Sequence, residues 1–323
     1  MAGNPNFSTI ITSAIENRST TVSDALSNHN GLIFAMKENG GVRPFDGGTK
    51  ILENLMYGDS GAGASAYSGA DVLATGSSEF LTASEYAIRQ YASAITFSGL
   101  EEIQNAGRSR IIDLIESKIT AAESGMLNKI CQDLQGDGTG SGTIGGLKAA
   151  LPLANTTGVY GGIDRATATY WRQKVRSGTA LTKVNILEEM LKIIMDTTRG
   201  TDRPNVALAS PEHFQKLMGA MVANQRFTES VASAKYVKAG FDSIMVYNIP
   251  VVAETNTGSS VSGMPADTTY FLNTKFIKLR PYKTDKFVTW TVKPSNQDLE
   301  ITRFKWAGNL TVSKLDAHGV ING

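Results

Sequence analysis

Cysteine is almost absent from this sequence. Cys131 is the only one in 323 residues, so no intrachain disulfide can form. That usage fits a reducing compartment and excludes a disulfide-stapled secreted scaffold. Histidine is scarce too: His29, His213 and His318 sit in different regions, with no paired-ligand spacing. With one thiol beside them, a zinc site of ordinary type is not expected. Nor does either sign of charge dominate, because 31 basic residues face 30 acidic ones and the net charge is +1. A dedicated nucleic-acid binder carries a basic excess or stripe, so tight DNA binding is not expected. No stretch approaches the ~18 apolar residues of a membrane span. Residues 1–15 lack a basic n-region and an unbroken apolar h-region, so they do not read as a signal peptide. The sequence therefore predicts a soluble product made in the cytosol, with no membrane partner.

Motifs that carry chemistry are equally sparse. Gly140-Ser141-Gly142-Thr143-Ile144-Gly145 satisfies G-x-G-x-x-G. A dinucleotide site needs that motif after a strand and opening a helix. Here it follows a long helical pattern and no helical pattern begins at once, so it reads as a connector. Neither G-x-x-x-x-G-K-[ST] nor G-x-S-x-G occurs, which removes the commonest phosphate cradle and nucleophile elbow. Asp133 and Asp137 flank a glycine loop without the EF-hand pattern. Glu188 and Glu189 are adjacent and point about 100° apart on a helix, too divergent for an acid/base pair. His213, in the first turn of a predicted helix, reads as a helix-surface residue. Trp171, Trp290 and Trp306 read as core or interface anchors. The expectation is no catalytic residue, no cofactor and no metal: the chain is not read as an enzyme.

What the chain does have is ordinary globular material, 41% apolar and 19% charged. Residues 1–41 are polar with scattered apolar positions and predict an arm that must lie on something else. Residues 42–98 predict two strands around a tip of small residues, Gly58 to Ala70. The first strand is 50–57, and the second runs from about 78 to 97. A lone two-stranded hairpin is marginal in water, so a partner is expected to stabilise it. Lys50, Tyr57, Asp59, Tyr67 and Phe80 are its candidate inter-subunit residues. Next comes an amphipathic pattern over 99–135, with Ser98 as N-cap and Gly136 past the end. It amounts to roughly ten turns. Its apolar stripe includes Ile111, Leu114, Ile115, Met126 and Ile130, while Glu123 and Lys129 are among the residues placed on other faces.

Beyond the glycine connector the pattern turns α/β. A helix carries Leu187, Met190, Leu191 and Ile194 and ends near Gly200. A short buried strand covers 205–209. Ser210 caps a helix with Pro211 at its first position, running to about Val222. Residues 245–252 read as strand broken by a proline. The last third is mostly strand: 270–272, 276–279, 287–292 and 299–306.

At this point local strings and element order resemble the HK97-like major capsid proteins of tailed bacteriophages. The strings are Gly146-Leu147-Lys148-Ala149-Ala150-Leu151-Pro152, Gly161-Gly162-Ile163-Asp164-Arg165, Tyr170-Trp171-Arg172, Leu208-Ala209-Ser210-Pro211-Glu212-His213-Phe214, Tyr270-Phe271-Leu272-Asn273 and Trp306-Ala307-Gly308-Asn309-Leu310. The resemblance covers roughly residues 40–323. It implies an α+β chain with an N-terminal arm (1–41), an extended loop (42–98) and a peripheral domain (99–180) containing a spine helix (99–135). An axial domain (181–268) follows, then peripheral strands (269–305) and a return to the axial domain (306–323). It also implies self-assembly into pentamers and hexamers of an icosahedral head enclosing double-stranded DNA. A portal and a decoration protein are then expected partners, and packaged DNA touches the wall only weakly. Some relatives carry a scaffolding segment before the arm. With the loop starting near residue 42 and a Met at position 1, a separate scaffolding protein is expected instead.

An encapsulin-type compartment, an α/β enzyme with a long regulatory helix, and a nucleoid-type DNA binder are the competing readings. The enzyme lacks convergent titratable groups, and the charge balance opposes the DNA binder. Some capsid relatives are cross-linked through a loop lysine. Between 42 and 98 this chain has only Lys50, roughly 25–35 Å along the strand from the place where such a lysine would act. No covalent cross-link is expected.

Overall fold

The computed structural model describes residues 30–57, 66, 68–69, 71, 81–100, 108–178, 180–223, 236, 242–254, 263–283, 288–292, 296 and 298–323. Asn30 caps helix α1 (Gly31–Glu38): its side-chain oxygen accepts from the backbone N–H groups of Leu32 at 2.9 Å and Ile33 at 3.2 Å. Leu32, Ile33, Ala35 and Met36 are buried in the chain's own main core. The expected arm of 1–41 is therefore corrected for residues 30–41, which belong to the body. The dense apolar string Leu32 to Met36 was hidden by the polarity of the segment around it. Residues 1–29 lie outside the described residues.

Strands β1 (Lys50–Met56) and β2 (Leu81–Ala87) pair antiparallel, with Lys50 opposite Ala87 and Met56 opposite Leu81. The expected second strand over 78–97 is in fact two strands. β2 closes the hairpin, the chain breaks at Ile88, and β3 (Arg89–Ser98) joins a different sheet. The break shows as a slip in alternation. Ser84 and Tyr86 are buried at even positions in β2, whereas Tyr91, Ile95 and Phe97 are buried at odd ones in β3. A change of parity turns the other face of the strand inward.

Helix α2 runs Arg108–Gln135, 28 residues, or about 42 Å at 1.5 Å per residue. Residues 101–107 of the expected helix lie outside the described residues. Among the described side chains its buried apolar stripe is Ile119, Met126, Leu127, Ile130, Cys131 and Leu134. Glu123, expected on an outer face, is buried instead. Asp133 is also buried, accepting from the Tyr91 hydroxyl and from Lys129, both at 2.8 Å. The short helix α3 (Leu147–Ala150) and the β4 (Val159–Tyr160)–β5 (Ile163–Asp164) ribbon follow. Buried Arg165 donates to the carbonyls of Ala149 at 3.1 Å and Ala150 at 2.8 Å, satisfying the helix end. The Trp171 indole donates to Tyr160 O at 2.9 Å, so this tryptophan is a core anchor.

The rest of the chain builds two sheets. Its elements are β6 (Lys174–Arg176), α4 (Ile186–Thr197), β7 (Val206–Ala209), α5 (Pro211–Ala223), β8 (Ser243–Val246), β9 (Ile249–Ala253), β10 (Thr268–Leu272), β11 (Ile277–Pro281), β12 (Val288–Val292), β13 (Leu299–Val312) and β14 (Gly319–Asn322). One mixed sheet has the order β6-β14-β10-β7-β9-β8. Its β7 shows how both faces are used. Ala207 and Ala209 join the core under α4 and α5, whereas Val206 and Leu208 join the core that holds α1 and α2. A strand buried on both faces reads as a continuous apolar run, as here. The β8–β9 turn falls at Tyr247-Asn248, both at positive φ, and Pro250 sits inside β9 rather than breaking the segment.

In the other sheet, residues 301–305 of β13 pair with β12 on one side and β3 on the other. Beyond them β11 pairs with the far half of β13, Ile277 opposite Val312. The expected ranges do not coincide with sheet membership. β6 and β10, expected in the peripheral part, belong to the six-stranded sheet, and β13 runs to Val312 before the chain returns there. The crossings sit near Gln173, Asn273 and Ser313, at the ends of strands. Strand ends are set by pairing, which is non-local and invisible to a local pattern.

Candidate self-assembly surface

The β1–β2 hairpin has one buried and one exposed face. Along β1, Ile51, Glu53 and Leu55 point inward and are buried, while Leu52, Asn54 and Met56 point outward. The inner face is docked on the chain's own body. The Tyr86 hydroxyl donates to Val312 O at 2.9 Å and accepts from Val312 N–H at 3.2 Å, closing the end of β13. Burial pushes the Tyr86 phenol up to about 12, so it remains neutral in ordinary buffers. The Ser84 hydroxyl lies 3.4 Å from Glu53 O and 3.3 Å from Val312 O, and Glu85 N–H donates to Gly161 O at 2.9 Å. Gly161 permits this approach. It has φ +60°, and a Cβ there would lie 2.9 Å from the Ser84 Cβ and 3.0 Å from the Tyr86 hydroxyl. The expectation that the hairpin depends on a partner for stability is thus corrected for its base, which its own subunit holds.

Among the described residues the outer face has no such cover. Leu52 is 57%, Met56 76% and Leu81 60% exposed, and Met56 stands directly opposite Leu81. Burying side chains of this size against a partner gives about 1.5–3 kcal/mol each. Beside them Lys50 and Glu85 form an exposed ion pair, which solvent screens and which adds little. At the end of β1, Tyr57 stacks on Tyr170 with ring centroids 4.4 Å apart and planes 14° from parallel.

The comparisons then place the whole architecture. No family model matches the sequence, and no curated protein matches it either. Solved structures do match, end to end. A chain of the cyanophage A-1(L) capsid asymmetric unit is similar with a TM-score of 0.67 and 18% identity, covering 92% of this chain and 91% of that one. The capsid of a native GTA particle gives 0.58 and 10%, covering 89% of each chain. The capsid of Myoviridae phage XM1 gives 0.54 and 13%, covering 88% and 90%. This chain has the HK97-like capsid fold.

Within the HK97-like fold, the residues singled out from the sequence scatter by role. Lys50 is solvent-exposed and Tyr57 half-buried in its stack, while Asp59, Tyr67 and Phe80 lie outside the described residues. Met126 and Ile130 are buried on α2. Ile111, Leu114 and Ile115 are helical, and their side chains lie outside the described residues. Leu52, Met56 and Leu81 are not among the residues that the sequence singles out. The signal was there in β1, where apolar residues occupy both parities, Ile51 and Leu55 on one face and Leu52 and Met56 on the other. His213 needs correction: it is fully buried, with Nδ1 2.9 Å from the Thr269 hydroxyl and Nε2 3.1 Å from Gly323 O. Burial lowers its pKa. The Ser210 cap sets the helix phase so that the third helical position faces the sheet. His318 is likewise enclosed, accepts from Asn273 N–H at 3.2 Å, and is driven down to about 3 by burial.

Proposed function

We propose that this chain is the major shell subunit of a tailed-phage-type icosahedral particle, assembling with copies of itself into pentamers and hexamers around double-stranded DNA. The observation that carries this reading is the end-to-end match to capsid subunits, over 92% of this chain and 91% of the cyanophage chain. A soluble enzyme that had borrowed part of the fold would match over part of its length. The exposed stripe Leu52, Met56 and Leu81 supports the reading, because it is apolar surface that one subunit leaves uncovered. The near-neutral charge supports it too. Phosphate contacts add affinity with each cation, and a wall that released its DNA would avoid a basic inner lining.

In this role Lys50, Tyr57, Asp59, Tyr67 and Phe80 belong to the loop that meets the neighbouring subunit. α2, the expected spine helix, stiffens the tile through its buried stripe. A separate scaffolding protein, a portal and a decoration protein are the further partners of this reading, and the finished protein resides in the virion. The experiment is size analysis of the expressed chain by light scattering, alone and with a co-expressed scaffold. Capsomers or closed particles are expected, and a strict monomer under both conditions would refute the reading.

A further inference from the structure

The inner face of β1 carries one residue that its position does not demand. Ile51 and Leu55 are apolar, but Glu53 between them is a carboxylate, only 7% exposed. Its Oε1 accepts from Arg280 Nη1 at 2.6 Å and from the Thr311 hydroxyl at 3.0 Å, and Lys278 Nζ stands 3.8 Å from Oε2. Both cations come from β11 and the hydroxyl from β13, where Lys278 and Thr311 are register partners. An apolar side chain could be buried here without the desolvation that an ion pair suffers. What the ion pair adds is direction, because a carboxylate held by several donors at set angles fixes the strand that carries it.

The hairpin needs fixing. It joins the body through Gly47 and Gly48, at φ +134° and +118°, and through the break at Ile88. A Cβ at Gly47 would meet nothing within 4 Å. Beneath these two joints lies an unfilled groove of about 420 Å³ lined by Phe45, Gly47, Gly48, Ile88, Tyr282 and Ala307. Packing at the joints therefore does not fix the hairpin's angle, which falls to the contacts of its inner face.

We infer that Glu53 is a positioning residue, an intrasubunit clasp with Arg280, Lys278 and Thr311 that sets the angle at which the hairpin projects. The link from that angle to assembly rests on the shell reading above. The clasp divides the hairpin's labour: its inner face belongs to its own subunit, and only the outer stripe is free for the next copy.

The test is amide hydrogen exchange on the full chain, comparing wild type with Glu53→Gln. Loss of the clasp should speed exchange in β1 and β2 by about tenfold or more, while β7, β9 and β10 keep their protection. The double variant Glu53→Arg/Arg280→Glu should recover part of that protection, which a merely destabilised hairpin would not. If Glu53→Gln fails to fold, Glu53→Asp, which withdraws the carboxylate by one methylene, provides the same comparison. Unchanged exchange in β1 and β2 overturns the clasp, as does absence of recovery in the double variant. Shell formation is scored separately on the same proteins. Wild type that never assembles, together with faster hairpin exchange in the variant, refutes the shell reading and leaves the clasp standing.

Discussion

Replacing Gly161 with alanine tests how closely the hairpin is seated on its own subunit. Two costs are expected. Gly161 has φ +60°, and the left-handed conformation costs an alanine about 1–2 kcal/mol. The new methyl would also lie 2.9 Å from the Ser84 Cβ, which is fixed by the β2 backbone and cannot rotate away. Overpacking of this kind costs about 1–3 kcal/mol. Gly40→Ala is the control: φ there is +68°, and a Cβ would meet nothing within 4 Å. Both substitutions restrict the unfolded chain alike, by about 0.4–1 kcal/mol, so that contribution cancels between them. Gly161→Ala should therefore be less stable than Gly40→Ala by about 1–3 kcal/mol in denaturant unfolding, with hydrogen exchange accelerated in β2. Equal losses in the two variants would mean that the hairpin does not press on the β4–β5 turn, and the seating described here would be wrong.

Four further outcomes follow from the same structure. Ile130→Asp should lower stability by several kcal/mol, about half of a typical 5–15 kcal/mol, since it places an unpaired carboxylate at a fully buried position of α2; unchanged melting would misplace the helix face. Acid should weaken the six-stranded sheet through His318, held near 3 when folded against about 6.5 unfolded. Its contribution is complete above about pH 6.5 and declines as pH falls toward 3, because the unfolded chain binds the proton first; His318→Gln should flatten that slope, and an unaltered pH–melting curve would contradict it. Deleting residues 60–74 should leave a folded subunit that assembles poorly, and normal particles of normal thermal stability would remove the tip from the interface. Boiling particles in SDS should release chains of 34.5 kDa, whereas ladders of pentamer and hexamer size with a Lys50–Asn linkage by mass spectrometry would show a cross-link.

Much of the fold is written locally. Ser210-Pro211-Glu212 starts α5 where capping chemistry puts it, and the apolar spacing of Met190 and Ile194 lies on α4, facing the sheet. What local patterns miss is parity and pairing. The even-to-odd slip at Ile88 separates hairpin from sheet, and β1 carries apolar residues on its exposed face as well as its buried one. Each was present in the letters but acquires meaning only when the partner strand is known. Glu53 is the extreme case. Nothing near it in sequence announces Arg280 or Thr311, more than two hundred residues away, and only the antiparallel register of β11 and β13 brings them together. The burial of His213 is likewise decided by which side of the sheet α5 covers, which neither its propensity nor its charge specifies.

Electron microscopy of the purified protein, expressed alone and with a candidate scaffolding protein, asks whether this chain builds a shell from copies of itself. Closed particles walled by pentamers and hexamers are expected, and their loss when Leu52, Met56 and Leu81 are replaced together by serine in a subunit that still folds. Unaltered particles from the triple variant would remove the stripe from the interface, and only monomers from the wild-type chain in both preparations would contradict shell building itself.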